Sequence, residues 1–149
     1  MIKAKDVVFE YQKYDEEGNV CETKRAVDGV ALDVKKGDFV AFFGNLGSGK
    51  TAFVRGVASV KCKNAHVSSP TYAIVNEYLG ETDIFHFDMY RITDDDSLYS
   101  VGFYDYPDRN GIIFTEWSEN IMFALPDERY DVTFEKTGET NRKITIKKV

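Results

Sequence analysis

Cysteine is scarce in this chain: Cys21 and Cys62 are isolated and stand at no metal-ligand spacing. A disulfide framework is not expected, and two lone thiols read as reduced cytoplasmic ones. Basic residues are also in the minority, with 19 Lys and Arg against 25 Asp and Glu, a net charge of -6 and no basic stripe. Autonomous nucleic-acid binding is therefore not expected. No apolar run approaches membrane-spanning length, no stretch resembles a signal peptide, and repeats and low-complexity linkers are lacking. The expectation is a cytoplasmic protein that touches a membrane only through a partner. What the 149 residues do contain is 43% hydrophobic and 14% aromatic side chains, which indicates one folded domain with a real core.

The most specific segment is "GNLGSGKT", from Gly44 to Thr51. Gly44, Gly47 and Gly49 stand where a loop must wrap its backbone N–H groups around phosphate oxygens, and Asn45, Leu46 and Ser48 complete that loop. Lys50 then reaches the β and γ phosphates, and the Thr51 hydroxyl can ligate Mg²⁺. Upstream lies the apolar run "FVAFF", Phe39 to Phe43. Downstream, in "KTAFVRGVASV", Phe53 with Val57 and Val54 with Ala58 recur at helical spacing. Buried strand, glycine loop and amphipathic helix follow one another in the order of a P-loop, with the helix N-terminus facing the anion. The domain is small for a P-loop enzyme.

Around this unit the pattern predicts a mixed α/β sheet with short helices and a β-rich N-terminal layer. "VVFEY" and "VALDV" alternate as strands on either side of the turn "YDEEGN", and "TYAIVNEY" and "DIFHFDM" form a hairpin across "LGETD". "TDDDSL" predicts a short helix capped by Thr93, with Asp96 three residues on. "GIIFTE" reads as a buried strand, "SENIMFAL" as a short helix capped by Ser118, and "RYDVTFE" and "RKITIKK" as strands joined by "KTGETN".

Three further segments can carry chemistry. "GIIFTEW" ends an apolar strand in Glu116, which beside a P-loop can accept a metal-bound water or orient the attacking one. In "HFDMYR", Asp88 can position Mg²⁺ or water, with a turn or helix cap as the alternative, and His86 reads as a satisfied, half-buried residue. In "SSPTY", the Thr71 hydroxyl can approach the metal from a loop stiffened by Pro70, in the manner of a switch loop, or close a local hydroxyl turn.

From Gly37 onward, "GNLGSGKT", "SSPTYAIVNEY", "FHFDMYRI" and "TEWSENI" stand in an order and spacing that resembles the TsaE (YjeE) family. These are bacterial P-loop ATPases needed to make threonylcarbamoyladenosine on tRNAs that read A-starting codons. The resemblance covers about residues 37–149 and implies ATP and ADP as ligands with Mg²⁺. It implies Gly44, Gly47, Gly49, Lys50 and Thr51 on the phosphates and metal, and Thr71 in the switch-like loop. It implies Asp88 and Glu116 in metal binding and hydrolysis, and Trp117 beside the nucleotide. It further implies slow hydrolysis that becomes useful in complex with the TsaB and TsaD proteins, which leaves tRNA contact to those partners. Whether Asp88 or Glu116 orders the water stays open.

The lead-in, residues 1–36, departs from that family, whose chains usually open with a short strand and a helix. Up to the shared segment "KKGDFVAFFG", residues 1–43 resemble instead the opening of ABC-transporter ATPases of the energy-coupling-factor type. In those proteins an aromatic at the position of Tyr11 stacks on adenine, and a core aromatic on a strand face is the alternative. No LSGGQ-like signature follows, so this second resemblance stops there. The two together suggest one P-loop domain of recombinant origin, natural or engineered, and a helix within residues 12–28 would contradict that. Two rival functions accompany the leading one: a nucleotide-binding recombinant without a cellular role, and a small-molecule kinase, which "DMYR" faintly resembles.

Overall fold

The computed structural model describes residues 2–62 and 65–149, and for residues 2–12, 22 and 24–32 it describes the backbone alone. β1 (Ile2–Tyr14) and β2 (Val20–Val34) pair antiparallel as a two-stranded sheet. The turn between them is built by Asp15, whose Oδ1 accepts the N–H groups of Glu17 at 3.0 Å and Asn19 at 2.9 Å. A short acidic side chain thus folds the backbone back on itself. Residues 12–28 are strand, turn and strand, with no helix among them.

The rest of the chain forms β3 (Phe39–Phe43), α1 (Lys50–Lys61), β4 (Val75–Tyr78), β5 (Ile84–Asp88), α2 (Asp95–Ser100), β6 (Ile112–Glu116), β7 (Tyr130–Lys136) and β8 (Arg142–Lys148). Six of these strands make one mixed sheet in the order β4-β5-β6-β3-β7-β8. β5, β6, β3 and β7 run parallel at its centre, and antiparallel β4 and β8 form the edges. β3 reads as an unbroken apolar run, and β5 and β6 as largely apolar ones, because both of their faces are covered. Val40, Phe42, Ile84, Ile112 and Phe114 pack with Phe53, Val54 and Ala58 of α1. On the opposite face Phe39, Ala41, Phe85, Phe87 and Ile113 pack against Leu98 of α2 and Phe103 and Ile121 of 3-10 turns.

Three local expectations shift. The segment "TYAIVNEY" is half loop: Ile74 bonds back to the Pro70 carbonyl at 2.7 Å with φ +68°, and pairing begins only at Val75. Helix α2 is capped by Asp94 rather than Thr93; the Asp94 carboxylate accepts the Ser97 N–H at 2.8 Å, and Thr93 donates its hydroxyl to Asp94. A carboxylate is the stronger acceptor for an orphan helix amide. Ser118 caps nothing. Residues 118–124 are 3-10 turns entered from Trp117 in a left-handed backbone, and the Ser118 hydroxyl donates to the Thr115 carbonyl at 2.9 Å.

Candidate functional site

At the carboxyl ends of the central parallel strands lies a cleft of about 580 Å³, the place where an open α/β sheet binds ligands. Its floor is the loop between β3 and α1. Gly44, Gly47 and Gly49 all have positive φ, at 136°, 69° and 112°. At Gly44 a Cβ would also stand 2.5 Å from the Phe134 carbonyl oxygen, so no side chain fits there. Leu46, Gly47, Ser48, Gly49, Lys50 and Thr51 line the cleft. Asn45 contributes its carbonyl, which accepts from Lys50 Nζ at 3.2 Å, and the Gly44 carbonyl accepts from the same ammonium at 2.6 Å. The Lys50 ammonium also lies 4.4 Å over the Trp117 ring, which tilts against Tyr90 at 5.1 Å. Burial holds Lys50 below the usual lysine pKa, against the opposing pull of Glu116, Glu119 and Asp88.

Both candidate acids arrive on adjacent strands in register, Asp88 at the end of β5 and Glu116 at the end of β6. Alternation along β5 sets His86 and Asp88 on the face of Ile84, and along β6 it sets Glu116 on the face of Phe114. That is the face α1 covers, so Glu116 meets the first turn of the helix. Its Oε1 accepts the Thr51 hydroxyl at 2.6 Å and lies 2.9 Å from His86 Nε2. Asp88 is engaged differently. Its Oδ1 accepts the Tyr90 N–H at 3.0 Å, and its Oδ2 accepts the Thr71 hydroxyl at 2.7 Å and that of Ser69 at 3.4 Å. The turn cap and the tie to the loop of Thr71 are thus two halves of one carboxylate.

The side chain of Tyr11 lies outside the described residues. Thr71, Asp88, Glu116 and Trp117 line the cleft with the residues from Leu46 to Thr51, and Gly44 and Asn45 stand in the loop that floors it. Ser69, Arg55 and Tyr90 also line it, and none of them was singled out. Ser69 stands two residues before Thr71 in "SSPTY", and its hydroxyl exchanges a 2.8 Å bond with that threonine. His86 departs from expectation. It is completely buried rather than half-buried, and its Nδ1 has no hydrogen-bond partner among the described residues. Burial by α1 and β6 is a tertiary fact that the local pattern "HFDMYR" does not carry.

The donor set suits a hard cation held partly by phosphates. Among the described residues no three His, Cys, Asp or Glu side chains group as a metal cage. The Thr51 hydroxyl and two carboxylates are all-oxygen ligands of the kind Mg²⁺ takes when phosphate and water complete its shell. The Ser48 hydroxyl, buried with no partner among the described residues, is an unused donor inside the loop.

A parallel strand, a glycine loop of left-handed turns and a helix opening on Lys-Thr define a P-loop α/β fold. The family model for threonylcarbamoyl adenosine biosynthesis protein TsaE matches residues 18–144, and the chain belongs to the TsaE family. It is 34% identical over 126 residues to the tRNA threonylcarbamoyladenosine biosynthesis protein TsaE of Bacillus subtilis, covering 84% of this chain and 78% of that one. To its namesake in Rickettsia typhi it is 35% identical over 129 residues, covering 85% and 89%. The crystal structure of Bacillus subtilis YdiB superposes with a TM-score of 0.63 at 31% identity, over 76% of this chain and 69% of that one. The match reaches back to residue 18, well into the hairpin and upstream of the boundary at residue 37.

Proposed function

We propose that this protein binds ATP and ADP with Mg²⁺ and hydrolyses ATP slowly in support of threonylcarbamoyladenosine formation on tRNA, acting with TsaB and TsaD. The observation that carries the reading is the contact of Glu116 with Thr51, which joins the last residue of β6 to the first turn of the P-loop helix at 2.6 Å. Membership of the TsaE family favours this function over a small-molecule kinase and over a recombinant without a cellular role. Among the described residues no helix is long and apolar enough to cross a membrane. A cytoplasmic location accords with that.

In this reading the loop amides from Gly44 to Thr51 and the Lys50 ammonium neutralise the phosphates, so catalysis rests on positioning and charge. Thr51, Asp88 and Glu116 would hold Mg²⁺, with Thr71 near it, and the ion supplies charge neutralisation on the phosphate oxygens. Between the acids, Glu116 orders the water. Both oxygens of Asp88 are occupied by Thr71, Ser69 and the Tyr90 N–H, whereas both donors to Glu116 converge on Oε1 and leave Oε2 without a protein donor among the described residues. Asp88 then ties the Thr71 loop to the cleft.

The test is ATP turnover by the protein alone and with TsaB and TsaD, alongside tRNA modification by the same mixtures. Slow turnover alone, raised by the partners, with modification that depends on this protein and ATP, is the expected result. Modification that proceeds equally without this protein would overturn the assignment.

A further inference from the structure

His86 sits mid-strand in β5 between Phe85 and Phe87, completely buried. An apolar residue would fill such a position without leaving a ring nitrogen unpaired in the interior, so a histidine there carries a desolvation cost. One nitrogen has a defined use: Nε2 lies 2.9 Å from Glu116 Oε1. The other, Nδ1, faces no partner among the described residues, and a proton there would be a buried donor with none of them to bond. The hydrogen-bond inventory therefore places the proton on Nε2, directed at the carboxylate.

We propose that His86 is a positioning residue for Glu116. The proposal rests on the assignment of Glu116 as the residue that orders water. A carboxylate held by one donor can swing about its last bond. Here Oε1 receives two donors from two different elements, the Thr51 hydroxyl of α1 and the imidazole of β5. Together they fix the plane of the carboxylate and leave Oε2 for the water, with the ring itself completely buried. Residues that orient a functional group in this way commonly change activity tenfold to a hundredfold when replaced.

The test uses the full chain with His86→Gln, whose amide nitrogen reaches where Nε2 stands, and His86→Leu, which fills the space without a donor. Affinity for ADP without Mg²⁺, read from Trp117 fluorescence, is expected to stay within about threefold of wild type in both. The kcat for ATP is expected to fall roughly tenfold to a hundredfold in His86→Leu at little-changed KM, and to recover most of that loss in His86→Gln. Nitrogen-proton correlation NMR of the wild-type ring, which needs no turnover, is expected to show the Nε2–H tautomer. Undiminished turnover in His86→Leu, equal losses in both variants with ADP binding intact, or an Nδ1–H tautomer would each overturn the proposal. Should His86→Leu not fold, His86→Asn, too short to reach Glu116, takes its place against His86→Gln. Wild-type protein without turnover fails the assignment of Glu116, whereas active wild type matched by His86→Leu fails the role of His86 alone.

Discussion

Lys50 directs its ammonium to the Gly44 and Asn45 carbonyls and the face of Trp117, and in the proposed function that ammonium meets the phosphate charge. A charge-assisted hydrogen bond contributes about 1.5–3 kcal/mol. Lys50→Ala should therefore weaken ADP binding roughly tenfold to a hundredfold in calorimetry. Tight ADP binding by that variant would contradict the role of the ammonium. Glu116 makes the opposite case, because in the proposed function its Oε2, without a protein donor among the described residues, acts on water and not on the nucleotide. Glu116→Ala should leave ADP affinity within a few-fold and lower turnover by about a hundredfold, near the low end for a residue that handles the reacting water. Equal losses of binding and turnover would move Glu116 from chemistry to binding.

Among the elements, β3 is the one on which the site depends, since it delivers the loop and pairs with both β6 and β7. Phe42 is fully buried, its ring 5.5 Å from Phe53 of α1, 5.4 Å from Phe114 of β6 and 5.3 Å from Phe134 of β7. Phe42→Ala should cost about 3–5 kcal/mol in chemical denaturation and disturb nucleotide binding as well. A loss below about 1 kcal/mol would mean that the four elements do not share this ring as their junction. At the sheet edge, β4 is tied to the turn at residues 107–109 by Glu77, whose carboxylate takes both arms of Arg109 at 2.6 and 2.7 Å and the Tyr106 hydroxyl at 2.8 Å. The Arg109 hydrogen bond, foremost, holds Glu77 below the usual glutamate range against a smaller opposing effect of burial. A lowered carboxylate pKa means stability that is full above the free glutamate's value of about 4.5 and is lost as pH falls through the lower folded value. Glu77→Gln should flatten this acid limb of the stability profile, measured by denaturant unfolding from about pH 6 to pH 3. An unchanged acid limb would show that the tie adds nothing to the fold.

Over the whole molecule, what could be seen in advance divides by the range of the interactions. The P-loop was legible because its geometry is local: three glycines, a lysine and a threonine within eight positions, between an apolar strand and a helix. Glu116 and Asp88 were legible as the ends of strands beside that loop. The register that makes them neighbours, and the unequal occupation of their oxygens, comes from pairing between β5 and β6 and was not. His86 was read as half-buried because its interior position is created by α1 and β6. The cap at Asp94 was missed by one residue for another reason, since adjacent polar side chains compete for the same amides, and Ser118 caps nothing because its hydroxyl turns back to the Thr115 carbonyl. The β-rich lead-in was legible as strands, and the family match to residue 18 now joins much of it to the rest.

Trp117 is the single tryptophan, and it lies between Lys50 and Tyr90 at the cleft. Its fluorescence in titrations with ADP and ATP, with and without Mg²⁺, tests the central claim most directly. The account predicts a saturable change for both nucleotides that Mg²⁺ strengthens and that Lys50→Ala moves to roughly tenfold to a hundredfold higher nucleotide concentration. No change in Trp117, together with no heat of binding in calorimetry, would contradict the claim that this cleft is a nucleotide site.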